Sequence, residues 1–196
     1  MRTKEGDKEK DILKAAITVF ASVGYFEAKI HRIADAADVA TGTVYLYFSN
    51  KEKILLKIFD SVWSELFTIM EHIYKRKDIT SIEKFNSAID AIFDYFISNP
   101  SLAVVFVNEQ NHLAAKSHDF TTYYSKTLSI IERVFEEGVK TGLFNENVNI
   151  PVFSSFFFGG MRFLLSQWAR DKNKYPLAEI RQNAKMIMLH GVAKQN

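Results

Sequence analysis

Residues 41–47, TGTVYLY, are rich in hydrogen-bonding groups and lie shortly before Lys51. Two threonines and two tyrosines supply hydroxyl groups there, and one glycine removes side-chain bulk from among them. Hydroxyl donors suit contacts to phosphate oxygens, and small side chains let a backbone come close to the edges of bases. The stretch therefore indicates a surface that contacts nucleic acid.

The same stretch has two distinct faces when it is placed on an α-helix. At about 100° per residue, Val44 and Phe48 lie close together and define a buried side. The remaining side chains form an outer face, with Gly42, Thr43 and Leu46 opposite the buried side and Tyr45 and Tyr47 on its flanks. We expect Thr43 to contact a base, Leu46 to contact a thymine methyl group and the tyrosines to donate to phosphates. The alternative is a polar surface helix with half-buried tyrosines.

Two short helices joined by a tight turn are predicted around this surface. Residues 30–37 carry apolar side chains at helical spacing, and a second helix begins at Thr41. Ala34 is small where the helices would cross, and Asp38 can adopt the left-handed conformation that the turn requires. Gly42 lies near the second helix start, where backbone N–H groups can meet a phosphate. These dimensions are typical of a helix-turn-helix.

The whole chain is predicted to be all-α, with about nine helices. Apolar residues recur at helical spacing through most of the 196 residues, and only 3 prolines and 8 glycines interrupt them. The first helix is expected to end at Gly24, and a long helix to begin after Asn50 as its N-cap. Further helices are predicted at residues 81–98, 101–114, 119–141, 150–170 and 177–193.

Composition excludes several other classes of protein. The chain has no cysteine, which rules out disulfides and thiolate metal sites. Its densely charged N-terminus, MRTKEGDKEKD, lacks the apolar core of a secretory signal, and its most apolar late segment is broken by serines, paired glycines and an arginine. We therefore expect a cytoplasmic protein that makes no membrane contact. The net charge is only +2, so binding to nucleic acid must depend on how the charged side chains are distributed over the surface.

The stretch GYFEAKIHRIADAADVATGTVYLYFSNKEKIL resembles the N-terminal domain of the TetR family of transcriptional repressors, and GVKTGLF at residues 138–144 resembles that family's C-terminal half. This resemblance implies a homodimeric repressor that binds a palindromic DNA operator and responds to a small-molecule effector. Lys29 replaces a threonine common in the family, so we expect an ionic phosphate contact there, and Asp38 replaces the usual turn glycine. The DNA-binding residues that we predict are Lys29, Thr41, Gly42, Thr43, Tyr45, Leu46, Tyr47 and Lys51.

The predicted effector is hydrophobic. Thirteen of the 17 phenylalanines lie beyond residue 60, which favours either a packed aromatic core or an apolar pocket. The segments NPSLAVVF and SQWARDKNKYPLAE resemble TetR-type repressors of fatty-acid degradation. This resemblance implies that the effector is a long-chain acyl-CoA. A free fatty acid and a neutral hydrophobic drug are the alternative effectors. The predicted lining is Phe93, Phe96, Val105, Phe106, Phe120, Tyr124, Leu128, Phe158, Met161, Arg162 and Leu165. Cations for the phosphates of such a ligand are expected from Arg162, Lys116 or Arg76.

These patterns predict different functions for two parts of the chain. We expect residues 1–50 to bind DNA and residues 51–196 to hold the effector and the dimer interface. The last two helices are rich in apolar residues, which predicts that they form the homodimer contact. The interface residues that we predict are Phe153, Phe156, Phe157, Gly159, Gly160, Leu164, Trp168, Ile187 and Leu189.

One constellation suggests a different class of function. Glu109 and His112, followed by His118 and Asp119, have the spacing of half a carboxylate-bridged di-metal site. Such a site needs a second E-x-x-H, and the sequence has none. The alternative is thus a small helical metal-dependent enzyme, and a helical scaffold without ligands is a third class. We expect a regulator that is not an enzyme and has no cofactor and no metal.

Overall fold

The computed structural model confirms the all-α architecture. It describes residues 5–114, 121–171 and 173–192, except for the side chains of residues 5–7, 110–114, 121 and 192. These described residues form nine helices and no strand: α1 (Glu5–Glu27), α2 (Ile30–Ala36), α3 (Thr41–Tyr47), α4 (Lys51–Lys75), α5 (Ser81–Ile97), α6 (Pro100–Ala114), α7 (Thr121–Lys140), α8 (Ile150–Arg170) and α9 (Leu177–Val192).

The local geometry confirms the predicted N-cap of α4 and places an interruption of α1, which continues to Glu27, at Gly24. Gly24 is non-helical, with φ 77° and ψ 160°, and interrupts α1 shortly before its end at Glu27. Asn50 caps α4, because its Oδ1 accepts a hydrogen bond of 2.9 Å from the backbone N–H of Lys53. Gly142 has φ 73° just after α7, a left-handed conformation that glycine adopts without steric cost.

The chain forms two compact units, whose borders differ from the predicted functional division after residue 50. Within the described residues, the first unit holds the chain up to Val62 together with the segment that begins at Ser101. The second unit holds Trp63–Pro100 and the segment that begins at Thr121. Helix α4 thus contributes to both units, and α6 belongs to the first although both of its neighbours along the chain, α5 and α7, belong to the second. The division of function at residue 50 stays a prediction.

The core of the first unit fixes the orientation of its short helices. Its fully buried side chains include Ile12, Ala16, Ile33, Ala34 and Val44. Helix α2 packs against both α1 and α3. Apolar burial is the main stabilising contribution for so short a helix, because α2 and α3 have seven residues each and are too short to be stable alone.

The second unit has an aromatic core and an ion pair whose lysine is fully buried. Phe85, Phe135 and Phe157 are among its fully buried side chains. The Nζ of Lys84, a side chain with no exposed surface, lies 2.7 Å from the Oε1 of Glu137 and links α5 to α7. Among the described residues, no single helix is long and apolar enough to cross a bilayer, and only the bent pair Ser81–Ile97 and Pro100–Glu109 meets the length and composition criteria together.

Candidate nucleic-acid interface and effector region

The tight turn between α2 and α3 has the predicted geometry. Asp38 adopts φ 53°, and the backbone N–H of Val39 donates to the carbonyl oxygen of Ala34 over 3.0 Å. Ala34 has no exposed surface, as expected of a small residue where two helices cross closely. The left-handed residue reverses the chain within four residues, so that α3 packs against α2.

The two faces predicted for α3 are confirmed as a pattern of burial. Val44 and Phe48 are buried, whereas Leu46 is 84% exposed and Tyr45 is 54% exposed. Gly42 and Thr41 are exposed as well, and Thr43 and Tyr47 are half-buried. A short exposed face of this kind has the size and hydrogen-bonding groups that a major groove accepts. The contacts of these residues with DNA stay a prediction.

Exposed cations lie at the start of α2. Lys29 is the N-cap residue of this helix, and its side chain makes no capping hydrogen bond. Lys29, His31 and Arg32 are all exposed. His31 and Arg32 are not among the DNA-binding residues predicted from the sequence. The guanidinium of Arg32 and the imidazole of His31, close to Lys29 in the sequence, are suited to contact phosphates.

In the structure the ammonium group of Lys51 binds backbone carbonyls, and its predicted phosphate contact stays a prediction. Its Nζ donates to the backbone carbonyl oxygens of Tyr25, Phe26 and Ala28, at 2.8, 2.7 and 3.2 Å. The ammonium also lies 4.6 Å from the centre of the Tyr25 ring. An ammonium group has three protons, and three carbonyls accept them here. We therefore infer that Lys51 fixes the end of α1 and the segment before α2 to the start of α4.

Lys29 and Lys51 make a matched pair for testing this difference. In a Lys29→Ala variant, the slope of log affinity for DNA against log salt concentration should become shallower by about 0.9 for each phosphate contact that the substitution removes. In a Lys51→Met variant that slope should stay unchanged, because the native lysine binds carbonyls rather than phosphates. The free energy of unfolding should instead fall by about 1–3 kcal/mol, since three carbonyls are left without their donor.

Fluorescence anisotropy with labelled DNA at several salt concentrations measures the slope, and denaturant unfolding measures the stability. A shallower slope for Lys51→Met at unchanged stability would restore the phosphate contact first predicted for Lys51.

Residues 24–29 form the junction between α1 and α2, and Tyr25 lies within it. Its side chain is buried, and burial raises the pKa of its phenol, with further contributions from the carboxylates of Glu52 and Glu109. The backbone N–H of Tyr25 donates to the Oε1 of Glu109 over 3.3 Å. The carboxylate of Glu109, considered from its spacing as half of a metal site, thus serves as a hydrogen-bond acceptor. No group of three or more potential metal ligands occurs among the described residues, while His118, Asp119 and the side chain of His112 lie outside them.

The residues predicted to line an effector pocket are divided between the two units. In the second unit they are either buried or half-buried: Phe93, Phe96, Met161 and Leu165 are buried, and Tyr124, Leu128, Phe158 and Arg162 are half-buried. Val105 and Phe106 are buried side chains of the first unit, where the Phe106 ring stacks on Phe59 with centroids 5.5 Å apart. Phe120 lies outside the described residues.

An aromatic cluster in the second unit includes a residue absent from that prediction. The ring of Trp63 lies 4.9 Å from that of Tyr124 in an edge-to-face arrangement and 6.1 Å from that of Phe158. Tyr124 and Phe158 are in edge-to-face contact with each other. Trp63 continues the apolar stripe of α4 four residues after Phe59, and this periodicity was the signal that could have identified it.

One of the three cations proposed to bind ligand phosphates forms an ion pair within the protein. Arg76 lies just after α4, and its guanidinium forms two hydrogen bonds with the carboxylate of Asp78, at 2.6 and 3.2 Å. This pairing holds the pKa of Asp78 below its ordinary value. Arg76 is thus committed to the turn before α5, and Lys116 lies outside the described residues. Arg162 of α8 is half-buried.

The apolar surface of α8 and α9 differs in detail from the predicted dimer interface. Phe153, Phe157 and Trp168 are buried in the core of the second unit, so they cannot supply an exposed face. Among the described side chains of these helices, the exposed large apolar ones are Val152, Phe156, Phe163, Met186 and Ile187, each at least half exposed. Gly159 is exposed too, and an added Cβ there would meet nothing within 4 Å.

Comparison with known proteins agrees with this geometry. Residues 12–58 match the family of bacterial regulatory proteins called tetR, and residues 62–191 match the C-terminal region of YsiA-like proteins. The chain is 29% identical to the fatty acid metabolism regulator protein of Bacillus subtilis over 189 residues, which cover 94% of this chain and 95% of that protein.

Two solved structures are similar over nearly their whole length. The fatty acid degradation regulator FadR from Bacillus halodurans has a TM-score of 0.80 at 26% identity, covering 96% of this chain and 98% of that one. FadR from Bacillus subtilis, solved in complex with stearoyl-CoA, has a TM-score of 0.80 at 27% identity, covering 93% and 98%. With one family model on the helix-turn-helix and another on more than half of the chain, this protein belongs to the TetR family of bacterial transcriptional regulators.

Proposed function

We propose that this regulator is a repressor that binds a palindromic operator as a homodimer and releases it when a long-chain acyl-CoA binds. The outer face of α3 supports the DNA-binding part, because Tyr45 and Leu46 are exposed while Val44 and Phe48 anchor the helix from behind. The effector part is supported by the likeness to Bacillus subtilis FadR, whose solved complex contains stearoyl-CoA. Action on chromosomal DNA would place the protein in the cytoplasm.

Recognition of the operator is assigned to the residues around α3. Gly42, Thr43 and Leu46 would meet base edges in the major groove, and Thr41, Tyr45 and Tyr47 would donate to the phosphates on either side, together with Lys29. A homodimer with two-fold symmetry presents two copies of α3, so the preferred DNA sequence would have two-fold symmetry as well. The exposed apolar side chains of α8 and α9 are the proposed dimer contact.

The acyl chain is assigned to the aromatic core of the second unit. A long acyl chain needs a continuous apolar surface, and the apolar core that includes the buried side chains of Phe93, Phe96 and Met161 would supply it. The half-buried rings of Tyr124 and Phe158, next to Trp63, would form the part nearest the surface. The half-buried guanidinium of Arg162 on α8 is assigned to a ligand phosphate.

Release of DNA requires that the ligand prefer one arrangement of the helices over another. An effector shifts a conformational equilibrium only by its difference in affinity for the two states. Helix α4 contributes residues to both compact units, so a change in the second unit can reach the start of α4, where Lys51 holds the segment before α2. A changed separation of the two copies of α3 would spoil their fit to successive major grooves.

A titration with ligands of graded length tests this proposal. A fluorescent operator, obtained by in vitro selection with the full chain, is bound to the protein and followed by anisotropy as ligand is added. We expect stearoyl-CoA to weaken operator binding by about 5–150-fold, the usual range of allosteric coupling. Octanoyl-CoA should act more weakly because it buries fewer methylene groups, each contributing about 0.8 kcal/mol.

Coenzyme A and stearic acid are the matched controls, since each carries one half of the proposed ligand. Neither should release the operator at micromolar concentration. Release by stearic acid alone, or by an unrelated apolar compound but no acyl-CoA, would contradict the assignment of the effector and leave the DNA-binding function standing.

A further inference from the structure

The junction between α1 and α2 has a backbone hydrogen-bonding group outside the helical pattern because Gly24 interrupts the helix. With φ 77° and ψ 160°, Gly24 turns the next N–H away from the helix axis. The N–H of Tyr25 then donates to the Oε1 of Glu109 on α6, a contact between buried groups 84 residues apart in the sequence. Glu109 is only 8% exposed, and a buried carboxylate is costly unless hydrogen bonds compensate for the lost water.

Tyr25 is also held by Lys51 at the start of α4. Lys51 binds the carbonyl oxygens of Tyr25, Phe26 and Ala28 and lies over the Tyr25 ring. The residue that follows Ala28 is Lys29, the N-cap of α2. The position of α2, and of α3 packed against it, therefore depends on a junction that is held by α6 through Glu109 and by α4 through Lys51.

Helix α6 is well placed to transmit a change in the second unit. It belongs to the first unit, yet the chain enters it from α5 and leaves it towards α7, and both of those helices belong to the second. Its hydrogen bond to Tyr25 measures 3.3 Å, slightly longer than the usual range of about 2.7–3.2 Å. A shift of α6 by a few tenths of an ångström would therefore weaken this contact.

We propose that Glu109 is a positioning residue that couples α6 to the DNA-binding helices. Its carboxylate holds the junction at Tyr25 in the geometry that binds the operator, and displacement of α6 releases it. The step in which an acyl-CoA displaces α6 rests on the proposed function above. The positioning of the junction in the ligand-free protein does not depend on it.

Two substitutions of Glu109 separate the hydrogen bond from simple packing. Glu109→Gln keeps an oxygen that accepts from the N–H of Tyr25, whereas Glu109→Leu removes it at similar volume. We expect Glu109→Leu to weaken operator binding by about tenfold and Glu109→Gln to stay within about threefold of wild type. Asn108→Leu, on the exposed side of the same helix, is the control and should bind as wild type does.

Amide hydrogen exchange at Tyr25, measured by NMR on the full chain, is the readout that a merely structural role would not reproduce. Exchange should be slow in wild type and Glu109→Gln and faster in Glu109→Leu. Wild-type affinity in Glu109→Leu, or equally weakened binding in both variants, would overturn the proposal.

The wild type gives a second test that does not need a stable variant. Saturating stearoyl-CoA should speed exchange at Tyr25 while it releases the operator. Release with unchanged protection of Tyr25 would refute the coupling. If stearoyl-CoA does not release the operator at all, the acyl-CoA assignment fails, and the comparison of Gln and Leu at position 109 still decides the role of Glu109.

Discussion

A Gly42→Val variant is expected to lose operator binding by about a hundredfold or more while keeping its fold. Gly42 is exposed near the start of α3, and an added Cβ there would meet nothing within 4 Å. Valine also has a higher helix propensity than glycine, so the helix itself should not weaken. The branched side chain would instead lie between α3 and the base edges and keep the helix out of the groove.

Gly42→Ala is the graded control for this variant, because it adds a single carbon at the same position. It should bind the operator with an intermediate affinity, and both variants should match the circular dichroism and thermal midpoint of wild type. Operator binding by Gly42→Val at wild-type affinity would show that α3 does not approach DNA through this face.

A double substitution of Phe156 and Phe163 by glutamate is expected to convert the dimer into a monomer. Both rings are 63% exposed on α8 in the single chain, and their burial against a second copy would contribute about 25 cal/mol for each Å² of apolar surface. Glutamate at these positions would bury charge without a partner. A monomer contacts one half of the operator, so operator affinity should fall by about 10²–10⁴-fold.

Light scattering after size exclusion measures the mass of this variant, and anisotropy measures its affinity for DNA. Phe26→Glu is the matched control, because Phe26 is 69% exposed but belongs to the first unit. It should remain a dimer. A dimer of unchanged mass from the Phe156 and Phe163 variant would exclude α8 as the main interface.

The faces of α3 were predictable because local periodicity determines them. Val44 and Phe48 are four residues apart on one side of a short helix, and nothing else in the segment can anchor it. The left-handed turn at Asp38 was predictable for a similar reason, since the length between the two helices leaves room for only a tight reversal.

The roles of Lys51 and Glu109 were not predictable from local sequence. Lys51 interacts with carbonyls more than twenty residues earlier, and Glu109 with an N–H 84 residues earlier, so both depend on tertiary packing. The i, i+3 spacing of Glu109 and His112 suggested a metal site, although any helix face can carry such a pair. Only the position of Tyr25 shows why a carboxylate is buried at residue 109.

The dimer face was predicted only in outline because α8 is apolar on more than one side. Phe153 and Phe157 are buried in the core, whereas Phe156 and Phe163 are exposed, and a periodic pattern cannot separate two apolar faces of one helix. The effector residues present the same difficulty. Apolar side chains that pack a core and those that line a cavity have the same composition, so the sequence predicts the aromatic region but not its shape.

Native mass spectrometry of the operator complex, titrated with stearoyl-CoA, is the most direct test of ligand-induced release, because it counts the protein copies, DNA and ligand in each species. We expect a complex of two chains with one duplex that is replaced by two chains carrying stearoyl-CoA, with free DNA appearing in step. A stable species that contains two chains, the duplex and stearoyl-CoA together in proportion to added ligand would contradict ligand-induced release.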